Sequence, residues 1–172
     1  MNILSNKQKI EKASADIILN SYNKRFGTNF EIIKLQDAPD IFCTDPITHE
    51  DLYLEITLQE DLAGEIKAIL EANKEPVTDL VSFGVRSFLD DVVPLVIERI
   101  KEKNKSFYGE KTALVIRQTS ILWEALEWEV VKVRIIHEVG TITNKNYGMG
   151  IWIICKDNSS WPASDTIFRI WP

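Results

Sequence analysis

The residues of this chain best placed to do chemistry are acidic and lie in its first third. Asp40 follows Pro39 at the mouth of a short apolar segment, and Glu55 stands fifteen residues later in the middle of an alternating one. A hairpin pairing the two segments would bring both carboxylates to one edge of a sheet. Two hard anionic oxygen donors at close range are what a Mg²⁺ (or Mn²⁺) ion requires. Such an ion can activate a water and stabilise a phosphoryl-like transition state. Glu11 is a third candidate. It lies two helical turns before Ile18, with Ala15 between them, and so falls at or near the apolar stripe of the first helix. A carboxylate there needs a partner, a metal or a shifted pKa, unless its head reaches water. Each acid also has an ordinary reading: Asp40 as strand-start chemistry, Glu55 as the polar side of an amphipathic strand.

These acids must be positioned by elements that the pattern of the chain delimits. Ile10, Ala13, Ile17, Ile18 and Tyr22 recur at helical spacing, which predicts a helix over Asn6–Phe26 stopped by Gly27. Glu31–Leu35 and Asp40–Thr44 read as short strands, with a turn at Asp45-Pro46. Leu52–Gln59 alternates: Leu52, Leu54, Ile56 and Leu58 share one face, and Tyr53, Glu55, Thr57 and Gln59 share the other. A helical pattern returns over Glu60–Asn73, and Glu75–Ser87 is poorly defined. A further helix is expected over Asp91–Lys105, capped by Asp91 with Pro94 in its first turn. Ala113–Gln118 reads as a buried strand. Ser120–Ile136 reads as a helix with Trp123, Leu126, Val130, Val133 and His137 stacking along one side, with strand as the alternative for its β-branched second half. Gly150–Cys155 and Ile167–Trp171 form a closing hairpin. The order predicts one α/β (α+β) domain, residues 1–172, with a mixed central sheet flanked by helices.

Composition narrows the function classes. The chain has 172 residues, 45% hydrophobic and 27% charged, an ordinary globular balance. No apolar run approaches the roughly 20 residues of a membrane-spanning helix, and the first residues lack the apolar core of a secretory leader. Two cysteines, Cys43 and Cys155, and two histidines, His49 and His137, exclude a zinc site of the usual spacing and a disulfide framework. A reducing cytoplasm is the expected compartment. A formal charge of −6 disfavours a protein that coats nucleic acid by bulk attraction, but allows a local basic groove. Arg99, Lys101, Lys103, Lys105 and Lys111, against Glu102 and Glu110, supply one such run, whose simpler reading is a solvated helix end. Neither a nucleophile elbow nor a phosphate-binding glycine loop is present. Five tryptophans (Trp123, Trp128, Trp152, Trp161 and Trp171) are read first as core or interface, including a homodimer contact through the C-terminal region, and second as stacking surfaces.

The segment APDIFCTDPITHEDLYLEITLQED resembles the core of the PD-(D/E)XK nuclease superfamily. Pro39-Asp40 stands where its PD stands, and Glu55-Ile56-Thr57 where its (D/E)XK stands. Glu11 resembles the Glu often carried by the helix that precedes the motif. The resemblance covers about residues 5–120 and leaves residues 121–172 as an extension. It implies a restriction-endonuclease-like core and Mg²⁺ (or Mn²⁺) held by Asp40 and Glu55. It also implies metal-dependent cleavage of phosphodiester bonds in DNA or RNA. The departure is Thr57 in place of the Lys. Thr57 can donate a hydrogen bond, but it cannot stabilise developing charge as an ammonium does. Lys34 and Lys67 are candidates for a migrated lysine, and Gln59 for a neutral water-positioning group. The alternative is an inactive module on the same fold that binds a protein or nucleic-acid partner.

Overall fold

The computed structural model describes residues 4–59, 89–118, 125–139, 146–157 and 164–171. The expected helix over Glu60–Asn73, with Lys67, lies outside the described residues, as do the connector Glu75–Ser87, Trp123 and Trp161. Helix α1 spans Asn6–Phe26. Its start is a capping box: Gln8 N–H donates to Ser5 Oγ at 3.2 Å, and Ser5 N–H donates to Gln8 Oε1 at 3.0 Å. It stops at Gly27, whose φ of 68° is the left-handed conformation that glycine takes without steric cost.

Three strands follow, β1 (Glu31–Leu35), β2 (Ile41–Thr44) and β3 (Asp51–Gln59). Helix α2 (Leu89–Lys103), strand β4 (Thr112–Gln118), helix α3 (Ala125–Val139) and strands β5 (Ile151–Asp157) and β6 (Ser164–Trp171) complete the described elements. The sheet is mixed, as expected, with spatial order β1-β2-β3-β4-β5-β6. β1, β2 and β3 meander antiparallel, β3, β4 and β5 run parallel, and β6 closes antiparallel on β5. Both parallel joints are bridged by segments that contain a helix, as a parallel crossover requires. Among the described residues no helix is long and apolar enough to cross a membrane.

The two faces of the sheet carry separate cores. Ala15, Ile18, Leu19 and Tyr22 of α1 pack on Leu52, Leu54 and Ile56 of β3 and on Val115 and Trp152 beyond. On the opposite face, Val93, Val96, Ile97 and Ile100 of α2 and Val131 and Ile135 of α3 cover Leu114, Ile116, Ile151 and Ile153. Because side chains alternate along a strand, the residues between Leu52, Leu54 and Ile56 point to the α2 side. That is how Glu55 comes to lie beneath α2 and not beneath α1.

Two helix expectations are corrected. α2 begins at Leu89, so Asp91 is inside the helix and not its cap, and Pro94 falls in the second turn. Pro94 therefore removes the N–H that would have bonded the Asp90 carbonyl, a cost the packed Val93-Val96-Ile97 face outweighs. α3 buries Val131 and Ile135, whereas Val130, Val133 and His137 are exposed. Its β-branched residues occupy more than one face, so apolar periodicity alone did not fix which stripe turns inward. Ile135→Ala should therefore cost about 2–5 kcal/mol in a urea unfolding titration. Val133→Ser should stay within about 0.5 kcal/mol of the parent. The reverse order would restore the stripe expected from the sequence.

Candidate functional site

The β2–β3 hairpin builds the site. Its register pairs Ile41 with Leu54 and Phe42 with Tyr53. Extended by one residue, the same register sets Asp40 across from Glu55. Asp40 is held there by a backbone contact: Ile56 N–H donates to Asp40 Oδ2 at 2.7 Å. At the far end of the hairpin Asp45 is also buried, but its oxygens accept from the N–H groups of Asn29 (2.7 Å), Ile47 (2.8 Å) and Thr48 (3.2 Å). Those donors hold its carboxyl below the usual range, Asn29 first, and mark it as a structural acid.

Glu55 points under α2. Lys103 Nζ lies 2.6 Å from Glu55 Oε1, and the Tyr108 hydroxyl donates to the same oxygen at 3.2 Å. Tyr108 stacks on Tyr147 at 5.7 Å between ring centroids, and the Tyr147 hydroxyl donates to the Lys103 carbonyl at 3.0 Å. Glu55 Oε2 is buried and has no hydrogen-bond partner among the described residues.

Glu11 enters from α1. Lys7, one turn earlier, places Nζ 3.1 Å from Glu11 Oε1 and 3.9 Å from Asp40 Oδ1. The lysine thus stands between two acids on different elements. Glu11, Asp40 and Glu55 are only 5%, 4% and 3% exposed. Lys7, Glu11, Asp40, Thr57, Arg99 and Lys103 all line one cavity of about 280 Å³. It is bounded by α1 on one side, α2 on the other and the start of the β2–β3 hairpin between them.

The electrostatics follow from this packing. Burial is the main cause that pushes the Asp40 carboxyl up to about 7. The charges of Glu55 and Glu11 add to that rise, while the Ile56 N–H and Lys7 oppose it. Lys7 is held above its ordinary value, first by its contact with Glu11. For Lys103, burial favours the neutral amine, but the hydrogen bond and charge of Glu55 outweigh it and the net shift is upward. Burial, reinforced by Glu55, raises the Tyr108 hydroxyl.

Of the residues predicted from the sequence, Glu11, Asp40 and Thr57 reach the cavity, and Glu55 meets it through Lys103. Gln59 is buried opposite Gln118 at the end of β3 and does not line it. Lys34 is exposed on the edge strand β1, two strands from the one that carries Glu55, with Nζ 5.7 Å from the Phe42 ring centroid, and it does not line the cavity. Trp152 is core, 5.7 Å from the Tyr22 ring. The side chains of Trp128 and Trp171 lie outside the described residues. Sequence reasoning missed Lys7, Arg99, Lys103 and Tyr108 as parts of the site. Lys7 was visible in principle, since it precedes Glu11 by four residues on a helix. Lys103 meets Glu55 across 48 residues, and no local pattern signals such a contact.

Among the described residues no three His, Cys, Asp or Glu side chains converge as a ready-made metal cage. The donor set suits the sparser arrangement that Mg²⁺ accepts, with one or two carboxylates and the remaining positions left to water or phosphate. The orphaned Glu55 Oε2, on the strand beside Asp40, is the feature that fits it. The chain matches no family model, and no match to it was found among curated proteins or solved structures.

Two outcomes test this geometry without any metal. Asp40 keeps its proton to about pH 7 in the folded chain, against about 3.8 ordinarily. The folded state then binds the extra proton between those values, so stability falls as pH rises from about 3.8 to about 7 and levels off above. Asp40→Asn keeps an acceptor for the Ile56 N–H and carries no charge. Its melting temperature relative to the parent should climb across that window by several degrees, at roughly 2–4 °C per kcal/mol for this chain length. Parallel curves for the two proteins would show that Asp40 ionises normally. Lys103→Met strands the buried Glu55 carboxylate and should cost about 3–5 kcal/mol in urea unfolding. Adding Glu55→Gln to that variant should recover most of the loss. An unchanged Lys103→Met would show that the ion pair contributes nothing.

Proposed function

We propose that this chain is a nuclease-like hydrolase of the PD-(D/E)XK type, with a lysine delivered from α2 in place of the one missing from β3. The observation that carries the reading is the contact of Lys103 Nζ with Glu55 at 2.6 Å, beside the cavity that Asp40 and Glu11 line. It supplies the ammonium that Thr57 lacks. Asp40 and Glu55 would hold Mg²⁺ (or Mn²⁺), and the ion would supply Lewis-acid charge at a phosphate oxygen and lower the pKa of a water. Lys103 places positive charge where negative charge develops during hydrolysis. Thr57 offers a hydroxyl to orient water, and Arg99, one turn before Lys103, offers its guanidinium to the phosphate. Glu11 acts through Lys7, which it holds beside Asp40. The substrate is DNA or RNA, and the setting is the cytoplasm. We place any homodimer contact at the β6 edge, which ends the strand order and carries Trp171.

One observation favours the second reading, an inactive module on the same fold that binds a partner. Glu11 and Glu55 each already have an ammonium at salt-bridge distance, so the acids are compensated without a metal. Calorimetric titration with Mg²⁺ or Mn²⁺ separates the two readings, since only the hydrolase requires binding. Purified protein should cleave plasmid, single-stranded DNA or RNA in a metal-dependent way. Asp40→Ala and Glu55→Ala should abolish cleavage, and Lys103→Ala should lower it roughly 10²–10³-fold, as expected for one lost charge-stabilising donor. Thr57→Ala should have a smaller effect. Activity that survives both acid substitutions would end the proposal.

A further inference from the structure

The loop 104–111, between α2 and β4, leaves Lys103 and carries the most exposed large apolar side chain among the described residues, Phe107 at 78%. Its neighbours are fixed. Asn146 Nδ2 reaches the carbonyls of Asn104 (3.2 Å) and Ser106 (3.1 Å) on one side of Phe107. On the other side Tyr108 is anchored by Glu55, by the Tyr147 ring and by the Thr112 hydroxyl, which donates to the Tyr108 carbonyl at 2.9 Å. An aromatic held outward between two anchored residues is presented to solvent by the fold, one residue from a ligand of Glu55. The surrounding charge is opposite in sign to that of the whole chain. Residues 99–111 carry five cations and two acids in a chain of net charge −6. Lys103 turns inward to Glu55, while Lys101, Lys105 and Lys111 are exposed.

We propose that this loop is a docking platform for a single-stranded polynucleotide, with a base stacked on Phe107 and the backbone phosphates on Lys101, Lys105 and Lys111. Lys103 and Tyr108 connect the platform directly to Glu55, so the bound strand is led toward the cavity. A base in a duplex already has both faces covered and cannot stack on Phe107, whereas an unpaired base has a free face whatever its identity. The destination of the strand rests on the nuclease reading, but its binding does not.

The test is fluorescence anisotropy of the full-length chain in EDTA with labelled oligo-dT, oligo-U and a duplex of equal length. A single strand of either sugar should bind more tightly than the duplex. Phe107→Ala should weaken that binding roughly 5- to 150-fold, and Phe107→Trp should retain it. The double substitution Lys105→Ala with Lys111→Ala should flatten the slope of log K against log salt by about 1.4, at roughly 0.7 per phosphate contact on a single strand. The proposal is overturned if neither single strand binds, if the duplex binds equally well, or if Phe107→Ala binds as the parent does. None of these outcomes depends on cleavage. Failure here is thus distinguishable from failure of the Asp40 and Glu55 assignment, which the activity of the acid variants decides.

Discussion

The bond from the Ile56 N–H to Asp40 Oδ2 is the constraint on which the site depends. It ties the residue before β2 to the strand that carries Glu55, and so fixes two carboxylates on adjacent strands. A single backbone donor at 2.7 Å is not enough to compensate a buried charge, and the folded chain answers by favouring the protonated acid. Asp45, in the same hairpin, has three backbone donors and remains comfortably ionised. Two aspartates five residues apart thus share burial and differ in supply of donors. The one with too few is the one that faces a cavity.

The lysines are the other half of this balance. Lys7 and Lys103 come from helices on opposite faces of the sheet, and each brings an ammonium to an acid that the strands or the first helix have taken out of water. Lys7 is largely exposed, so its pair with Glu11 stays partly solvated, whereas the Lys103–Glu55 pair is mostly buried. A buried ion pair gains little over a hydrophobic contact of similar size, because desolvation offsets the attraction. A fold selected for stability alone would gain as much from aliphatic residues at positions 55 and 103. The arrangement instead leaves one oxygen of Glu55 without a partner and surrounds the cavity with groups of both signs. The one strongly shifted acid lining this cavity is Asp40, and a strongly shifted group in a cleft is a candidate for function.

Local chemistry was legible in the sequence, and long-range packing was not. Asn6–Phe26 and Glu31–Leu35 were read with their observed bounds, because an apolar period of 3.6, a glycine stop and a short β-branched run are written in consecutive residues. Asp40 and Glu55 were singled out on strand geometry, and Glu11 on its place in the helical stripe; all three are buried around the same hairpin. The α3 stripe was misread because Val130, Val131, Val133, Ile135 and Ile136 permit several apolar faces, and the choice is made by α2 and the sheet. The Asp91 cap fails because α2 already includes Leu89 and Asp90, so the best local start signal falls inside the helix. Lys103 was seen only as one charge in a basic run. That it turns inward depends on where α2 crosses β3, and no spacing within residues 99–111 records that.

Thr57 is buried two residues beyond Glu55. On β3 it shares a face with Glu55, so a lysine there would lie under α2, beside Lys103. Two ammonium groups in so small a space would repel each other and lower the charge each could keep. A helix-borne lysine makes a strand-borne one redundant, and a neutral hydroxyl is then the side chain that fits. Under the proposed nuclease reading, the Thr at position 57 and the position of Lys103 are two aspects of one electrostatic solution. Exchanging them, with Lys at 57 and Met at 103, should preserve the pairing of Glu55 far better than Lys103→Met alone, and urea unfolding of the three proteins would measure it. A double exchange as unstable as Lys103→Met would separate the two positions and leave Thr57 without this account.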